Sequence, residues 1–384
     1  MAVLKRRRKP RNIMVHVTVL ILVIIWIVPT FGLLVSSLRD KDLIAVSGWW
    51  TALVTSESNL IGRAAPPSDQ VEAGGRYVIS GNVFSEGTTG TVTRFGARIQ
   101  NPTEFAAGET ATLPDGARLT IAGDGSYELS ADTPFEGAAG RRLFYTAALP
   151  PRFTFDNYRN VLTAEGLGQS FINSLTVTIP STVIPILIAA YAAYALAWMK
   201  FPGRALLLSV IIGLLVVPLQ MSLIPLLRLY NDVGLFFGVP AKTYLGIWLA
   251  HTGFGLPLAI YLLRNYIASL PQEIMESARI DGATDFEIFI RIVLPLSVPA
   301  LAAFSIFQFL WVWNDLLVAI VFLGGSDDQL VLTGRLRALL GSRGDNWEIL
   351  TSAAFVTIVV PLIVFFSLQR YLVRGLLAGS VKGG

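Results

Sequence analysis

The sequence predicts an all-α integral membrane protein with six transmembrane helices and a small β-rich domain inserted after the first of them. Three observations carry this. The chain is 53% hydrophobic and 15% charged over 384 residues, whereas soluble domains carry about 25% charged residues. Its apolar residues are gathered into long blocks, with a mean hydropathy of +0.60, as a bilayer requires and a soluble core does not. Between residues 40 and 150 the blocks stop, and short runs rich in Val, Thr, Ile and Tyr replace them. The net charge of +4 comes from basic residues clustered at block ends, so the lipid bilayer accounts for it and nucleic acid is not an expected partner. The absence of cysteine removes disulfide and thiolate chemistry.

Apolar stretches of about 20 residues, the length a bilayer core demands, fall near 14–36, 172–198, 205–227, 243–263, 297–321 and 350–372. Lys5, Arg6, Arg7, Arg8, Lys9 and Arg11 precede the first. Lys200 and Arg204 lie between the second and third, Arg264, Arg279 and Arg291 between the fourth and fifth, and Arg370, Arg374 and Lys382 after the sixth. A cytoplasmic N-terminus puts all four groups on the cytoplasmic side, as the positive-inside rule expects. Arg228, Lys242, Arg335, Arg337 and Arg343 then fall outside, against the rule. The expected layout is a basic cytoplasmic N-terminus (1–13), a first transmembrane helix (14–36), an extracytoplasmic β-rich insertion (40–150), a core of five further helices (151–372) and a cytoplasmic tail (373–384). The first span also has the basic start of a signal peptide, but its apolar stretch is longer than a signal core and no small-residue cleavage site follows.

In the insertion, RYVISGNVF (76–84), GTVTRFGARI (90–99), ARLTIAG (117–123) and SYELSA (126–131) are separated by Gly, Pro, Asp and Asn. That is the pattern of short antiparallel strands with tight turns, and it predicts a β domain over about 70–150. The domain is either a docking or gating module for an outside partner or a folded insertion with no site of its own.

Several chemistries are excluded. No phosphate-binding G-x-x-x-x-G-K-[ST] loop occurs, since no Lys follows a Gly. His16 and His251 lie far apart and form no zinc pattern. His16 sits at the cytoplasmic edge of the first span, an interfacial position. His251 within an apolar span either marks a pathway or is a packed histidine bonded to a backbone carbonyl. No nucleophile–base pair can be assembled, so no catalysis and no bound cofactor is expected of this chain.

The most informative stretch is EIMESARIDGATDFEIFIRIVLPLSVP, 273–299. About thirty residues between spans is far more than the usual connection of roughly 2–8. Pro271 suits the start of a short amphipathic helix over Gln272–Arg279, with Glu273 in its first turn, where a carboxylate favours the dipole. Asp281 and Gly282 break that helix, glycine being free to take positive φ. A second helix over Thr284–Ile292 would present Phe286, Phe289 and Ile290, and Pro295 and Pro299 redirect the chain into the fifth span. Small residues (Ser277, Ala278, Ala283) and apolar tips suit a groove on a partner.

ESARIDGAT followed by LPLSVP closely resembles the cytoplasmic coupling loop (272–296 here) of ABC-importer permeases, whose pattern is Glu-Ala-Ala, three residues, Gly, and a spacer ending in Leu-Pro. The pattern falls on Glu276, Ser277, Ala278, Gly282, Leu294 and Pro295, with Asp281 and Ala283 flanking the glycine; Ser277 replaces an alanine. FTFDNYRNVL (153–162), FINSL (171–175), PLQMSLIPL (218–226), WVWNDLL (311–317) and QRYLVRGLLAGSVKG (369–383) are similar to the carbohydrate-uptake, maltose-type subfamily. The long outer insertion is similar to that of the α-glucoside permeases. The resemblance implies the type I ABC importer fold and a non-catalytic permease in the bacterial cytoplasmic membrane. Implied partners are a second, non-identical permease subunit, two copies of an ABC ATPase that bind the ATP and Mg, and an extracytoplasmic sugar-binding protein. It also implies that the tail, with Gln369, Arg370, Gly379 and Lys382, lies along the ATPase dimer.

Sugar-pathway candidates follow from polar residues within spans, which are costly there and mark pathways or partners. Trp313, Asn314 and Asp315 could offer an aromatic face beside hydrogen-bonding groups, or could be structural polar packing between subunits. Gln220, Ser222, Asn173 and Tyr194 are further candidates. Two other classes of function stay open: a secondary sugar transporter, which would need ionisable residues through the spans and internal repeats, and a membrane-anchored sensor or assembly protein working through its outer domain.

Overall fold

A computed structural model describes residues 10–84 and 89–380. The basic cluster Lys5–Lys9 and Lys382 lie outside the described residues. The chain divides into two units, one running to Asn157 and including Asn346–Ser352, the other comprising Tyr158–Asp345 and the chain from Ala353.

The first unit opens with helix α1 (Pro10–Ser37), whose apolar side chains from Ile13 to Val28 are exposed. Short helix α2 (Lys41–Val46) and a 3₁₀ turn (Trp49–Thr51) follow. Strands β1 (Ser56–Arg63), β2 (Val71–Ala73), β3 (Arg76–Asn82), β4 (Thr91–Gly96), β5 (Phe105–Ala106), β6 (Thr110–Thr112), β7 (Arg118–Ile121), β8 (Ser126–Ala131) and β9 (Arg142–Leu149) then build two antiparallel sheets. Their orders are β1-β9-β4-β5 and β2-β3-β8-β7-β6. The period-2 pattern buries Tyr127 and Leu129 of β8, and these join Ile79, Leu119 and Ile121 against Val92, Phe95, Leu143 and Tyr145 in a single core. The four runs anticipated from sequence are strands β3, β4, β7 and β8. The module starts earlier than expected, because β1 pairs along its whole length with β9, Ser56 opposite Leu149. Strand β1 (SESNLIGR) is polar through its first four residues and carries little apolar signal of its own.

The two ends of the module are tied at the end of α1. Thr154 N–H donates to Leu38 O at 2.7 Å, and the Asn157 amide donates to Ser37 O and Arg39 O at 3.0 and 2.7 Å.

In the second unit come α3 (Asp156–Thr163, continuing from the first), α4 (Leu167–Trp198), α5 (Arg204–Leu214), α6 (Leu219–Phe237), α7 (Tyr244–Ile267), α8 (Gln272–Ile280), α9 (Asp285–Ile288), a π-helical turn (Phe289–Val293), α10 (Leu294–Leu296), α11 (Val298–Trp313), α12 (Leu317–Phe322), α13 (Leu332–Ser342) and α14 (Trp347–Ser380, whose start to Ser352 belongs to the first). Ala189, Ala190 and Ala193 of α4 and Ala259 of α7 are buried in one cluster, small residues that let membrane helices approach closely.

Among the described residues, four helices (α1, α4, α7 and α14) are long and apolar enough to cross a membrane, and up to six spans result if each of two bent pairs counts as one. This corrects two expected spans. The third, 205–227, is not one helix: α5 and α6 meet at 106°. Pro218 has no N–H to continue the ladder and stands extended at ψ 125. The fifth, 297–321, stops at Trp313, breaks over Asn314–Leu316 and resumes as α12. Its approach bends by 72° near Ser297, between Pro295 and Pro299.

Candidate functional site

The loop 272–296 folds as an elbow. Helix α8 ends where Gly282 takes φ +83, and Ala283 N–H closes back on Ala278 O at 3.0 Å. Thr284 starts α9 with a complete capping box: its hydroxyl accepts from Glu287 N–H at 3.3 Å, and the Glu287 carboxylate accepts from Thr284 N–H at 3.0 Å. The Thr284 backbone N–H and then its hydroxyl hold the Glu287 carboxyl below its ordinary value. The second helix is shorter than the expected Thr284–Ile292, because the backbone widens to a π turn from Phe289.

One face of the elbow is fixed to the bundle. Met275, Ala278, Ile288, Phe289 and Val293 are buried with Tyr194 of α4 and Leu263 and Ile267 of α7. A polar clamp adds direction: Tyr194 hydroxyl donates to Asp285 at 3.0 Å, Arg279 donates to the same carboxylate at 3.2 Å and to Trp198 O at 3.4 Å, and the Trp198 indole donates to Ile267 O at 3.0 Å. The opposite face is largely uncovered among the described residues, with Phe286 reaching Tyr191 of α4 edge-on at 6.4 Å. Glu276, Ser277, Asp281 and Gly282 are exposed, with Ile280 at 86% and Phe286 at 62%. Leu294 and Pro295 lie in α10, beyond the π turn.

Removing the cap tests this stiffness. Thr284→Ala is expected to cost about 1 kcal/mol of local helix stability, read as faster amide exchange over 284–288. Glu287 contributes through a lowered carboxyl value. Its support is therefore present above the ordinary carboxylate range and lost as pH falls through the folded-state value. Exchange over 284–288, corrected for the intrinsic pH dependence, should rise in acid, and Glu287→Gln should abolish that rise.

The pathway candidates do not form one site. Asn173 is buried: its amide donates to Asp328 O and Leu330 O at 2.7 and 3.0 Å, and its carbonyl accepts from Tyr244 hydroxyl and Gln169, both at 3.0 Å. It is a bracket that holds segment 328–330 on α4 and α7. Asn173→Leu is expected to strand those partners at about 1–3 kcal/mol per buried group, measured as a lower unfolding temperature of the purified protein. Trp313 is buried, stacked on Phe309 at 5.6 Å, and its indole donates to Thr357 O at 2.9 Å. Tyr194 belongs to the elbow's clamp. Asn314 is exposed and bonds back to Leu310 O at 2.8 Å. Asp315 stands in the break after α11 and accepts from Ala319 N–H at 3.1 Å, capping α12. Its carboxylate lies 3.9 Å from Nε2 of His251; His251 meets no backbone carbonyl. Gln220 is exposed. Ser222 lines a cleft of about 330 Å³ with Leu214, Leu219, Gly253, Pro257 and Trp311, at the bend between α5 and α6.

Sequence reasoning missed a buried polar belt. Gln308 of α11 is fully buried and donates to Ser181 O at 3.2 Å, while its Oε1, Ser181 and Thr182 hydroxyls of α4 and Thr252 hydroxyl of α7 have no partner among the described residues. Gly255 makes room for Gln308: a Cβ there would lie 2.7 Å from its amide. A glutamine inside an apolar span was the available signal. In the tail, Gln369 and Arg370 are exposed on α14, Arg370 stacking 4.7 Å over Tyr371, and Gly379 falls in the last turn. Among the described residues no group of His, Asp and Glu could hold a metal ion.

Residues 170–377 match the model of the family described as the binding-protein-dependent transport system inner membrane component. The chain belongs to that family. This binding-protein-dependent permease is 71% identical over 378 residues, 98% of its own length and 99% of the other's, to the alpha-glucoside transport system permease protein AglG of Rhizobium meliloti. It is 58% identical over 60% of its length, and 76% of the other's, to the osmoprotective compounds uptake permease protein GgtD of Synechocystis. The match to AglG therefore runs through the permease's β module, and the match to GgtD leaves about two fifths of the permease uncovered. Among solved structures, a bacterial ABC transporter involved in the import of the acidic polysaccharide alginate aligns over 58% of the permease and 81% of that chain, with 24% identity and a TM-score of 0.48.

Proposed function

We propose that this permease is one of two non-identical membrane subunits of an ATP-driven importer for an α-glucoside or related oligosaccharide. The observation that carries the reading is the elbow 272–296: buried and clamped on one face, exposed and apolar-tipped on the other. A stiff knob of this kind transmits a displacement from a partner into α4 and α7 because its bundle-side contacts leave it no slack. With no phosphate-binding loop in the sequence, the energy is supplied by two copies of a partner ATPase that hold ATP and Mg. Glu276, Ser277, Asp281 and Gly282 present the knob, Ala278 and Ala283 seat it on the bundle, Leu294 and Pro295 form its root, and Gln369, Arg370, Gly379 and Lys382 a second contact along the ATPases.

The termini and the elbow face the cytoplasm, and the β module faces outward, where a sugar-binding protein delivers substrate. Basic residues at the span ends support that orientation. Two of the residues that oppose it are neutralised locally: Arg335 pairs with Asp327 at 2.9 Å and Arg343 with Glu165 at 3.3 Å. The 71% identity to a permease named for alpha-glucoside transport supports the sugar class. Binding drives the cycle only where partners prefer one conformation over the other.

The test is uptake into vesicles holding this permease, its partner permease and the ATPase, with the binding protein outside. Accumulation of a labelled α-linked disaccharide should need ATP and the binding protein and survive collapse of ion gradients. Uptake that follows an ion gradient without ATP would overturn the reading. Removal of the whole module, 56–149, with transport retained would reject a sensor acting through it.

A further inference from the structure

The segment after α1 turns back along that helix, bringing Trp49 against Phe31 and Gly32. We propose that Trp49–Val54 is an interfacial anchor that seats the base of the β module in the lipid surface. Phe31 and Gly32 lie in the apolar span Ile13–Ser37, about six residues or 9 Å of rise before its end. The Trp49 ring meets Phe31 edge-on at 6.0 Å. Gly32 gives the indole its place, since a Cβ there would lie 2.6 Å from Trp49 Nε1. The turn therefore stands beside the exposed apolar helix α1, not beyond its end. From this position Trp50 projects 73% exposed, Leu53 81% and Val54 63%.

Several features fit that surface to lipid. No charged residue occurs between Asp42 and Glu57. Part of the backbone is paired within the turn, which lowers the cost of leaving water: Thr51, Ala52 and Val54 N–H donate to Gly48, Trp49 and Thr51 carbonyls at 3.1, 3.1 and 3.0 Å, and Thr51 hydroxyl to Gly48 O at 2.7 Å. Arg39 sets the approach. Its buried guanidinium donates to Leu43, Ser47 and Gly48 carbonyls at 3.1, 2.8 and 2.9 Å, fixing the point at which Trp49 begins. Paired indoles beside aliphatic side chains are what the water–lipid interface favours. The patch continues the exposed apolar surface of α1, and that continuity selects lipid over a soluble partner.

The chain lacks cysteine, which allows single cysteines to be read without background. Leu53→Cys and Val54→Cys, with Glu136→Cys on the module as the exposed reference, would carry an environment-sensitive fluorophore in the assembled transporter in vesicles. Blue-shifted emission at 53 and 54, and quenching by shallow spin-labelled lipid at least about twofold stronger than at 136, are expected for an interfacial residue. Iodide quenching equal to that at 136 would overturn the proposal. So would protection from both quenchers, which would place the patch against another subunit.

Discussion

Gly282→Pro is expected to abolish sugar uptake while the protein still inserts and assembles. Gly282 stands at φ +83, and proline is locked near −65°. The variant also loses the N–H that donates to Arg279 O at 3.1 Å. Nothing lies within 4 Å of a Cβ added at this position, so the effect is conformational and not steric. Helix α8 can keep its buried Met275 and Ala278, but the return to Thr284 must change and the exposed knob with it. Gly282→Ala isolates the backbone term: a left-handed alanine costs roughly 1–2 kcal/mol, and partial uptake is expected. Vesicle uptake together with substrate-stimulated ATP hydrolysis reads the series Gly, Ala, Pro. Normal stimulated uptake in the proline variant would remove the elbow from the coupling path.

Trp313→Ala is expected to destabilise the bundle by about 3–5 kcal/mol, the usual range for deleting a buried aromatic, with the sugar affinity of the surviving protein unchanged. The ring is 2% exposed, stacked on Phe309 and edge-on to Phe171 at 6.0 Å. Trp313→Phe separates its two contributions. It keeps an aromatic ring and loses the bond to Thr357, worth about 0.5–1.5 kcal/mol. Unfolding temperature in detergent and the concentration dependence of uptake check both variants. A sugar-stacking tryptophan would behave oppositely, with weakened affinity and little change in stability.

The elbow was legible in the sequence because its signals are local. A proline, a short amphipathic helix and Asp-Gly are read within about twelve residues, and each fixes its own backbone; the Thr284–Glu287 capping box emerged with the structure. Polar side chains in spans were not legible in the same way. Asn173, Tyr194 and Trp313 look alike in sequence whether they face a pathway or a neighbouring helix. Their partners lie 155, 91 and 44 residues away. Strand β1 was missed for the same reason, since its identity rests on β9, about eighty residues further on.

The sequence by itself determined the spans that are unbroken, α1, α4, α7 and α14, because some twenty apolar residues have no cheaper solvent than lipid. It also determined the inserted β module, through period-2 runs between turn residues, and the family, through the loop. Only the tertiary structure decided where the third and fifth stretches break, because a proline or an Asn-Asp pair in an apolar helix ends it only if neighbours supply the lost hydrogen bonds. It alone showed the distant partners to which Asn173, Tyr194 and Trp313 are bonded. Hydrogen bonding is satisfied in space, and the spacing of residues along the chain does not record it.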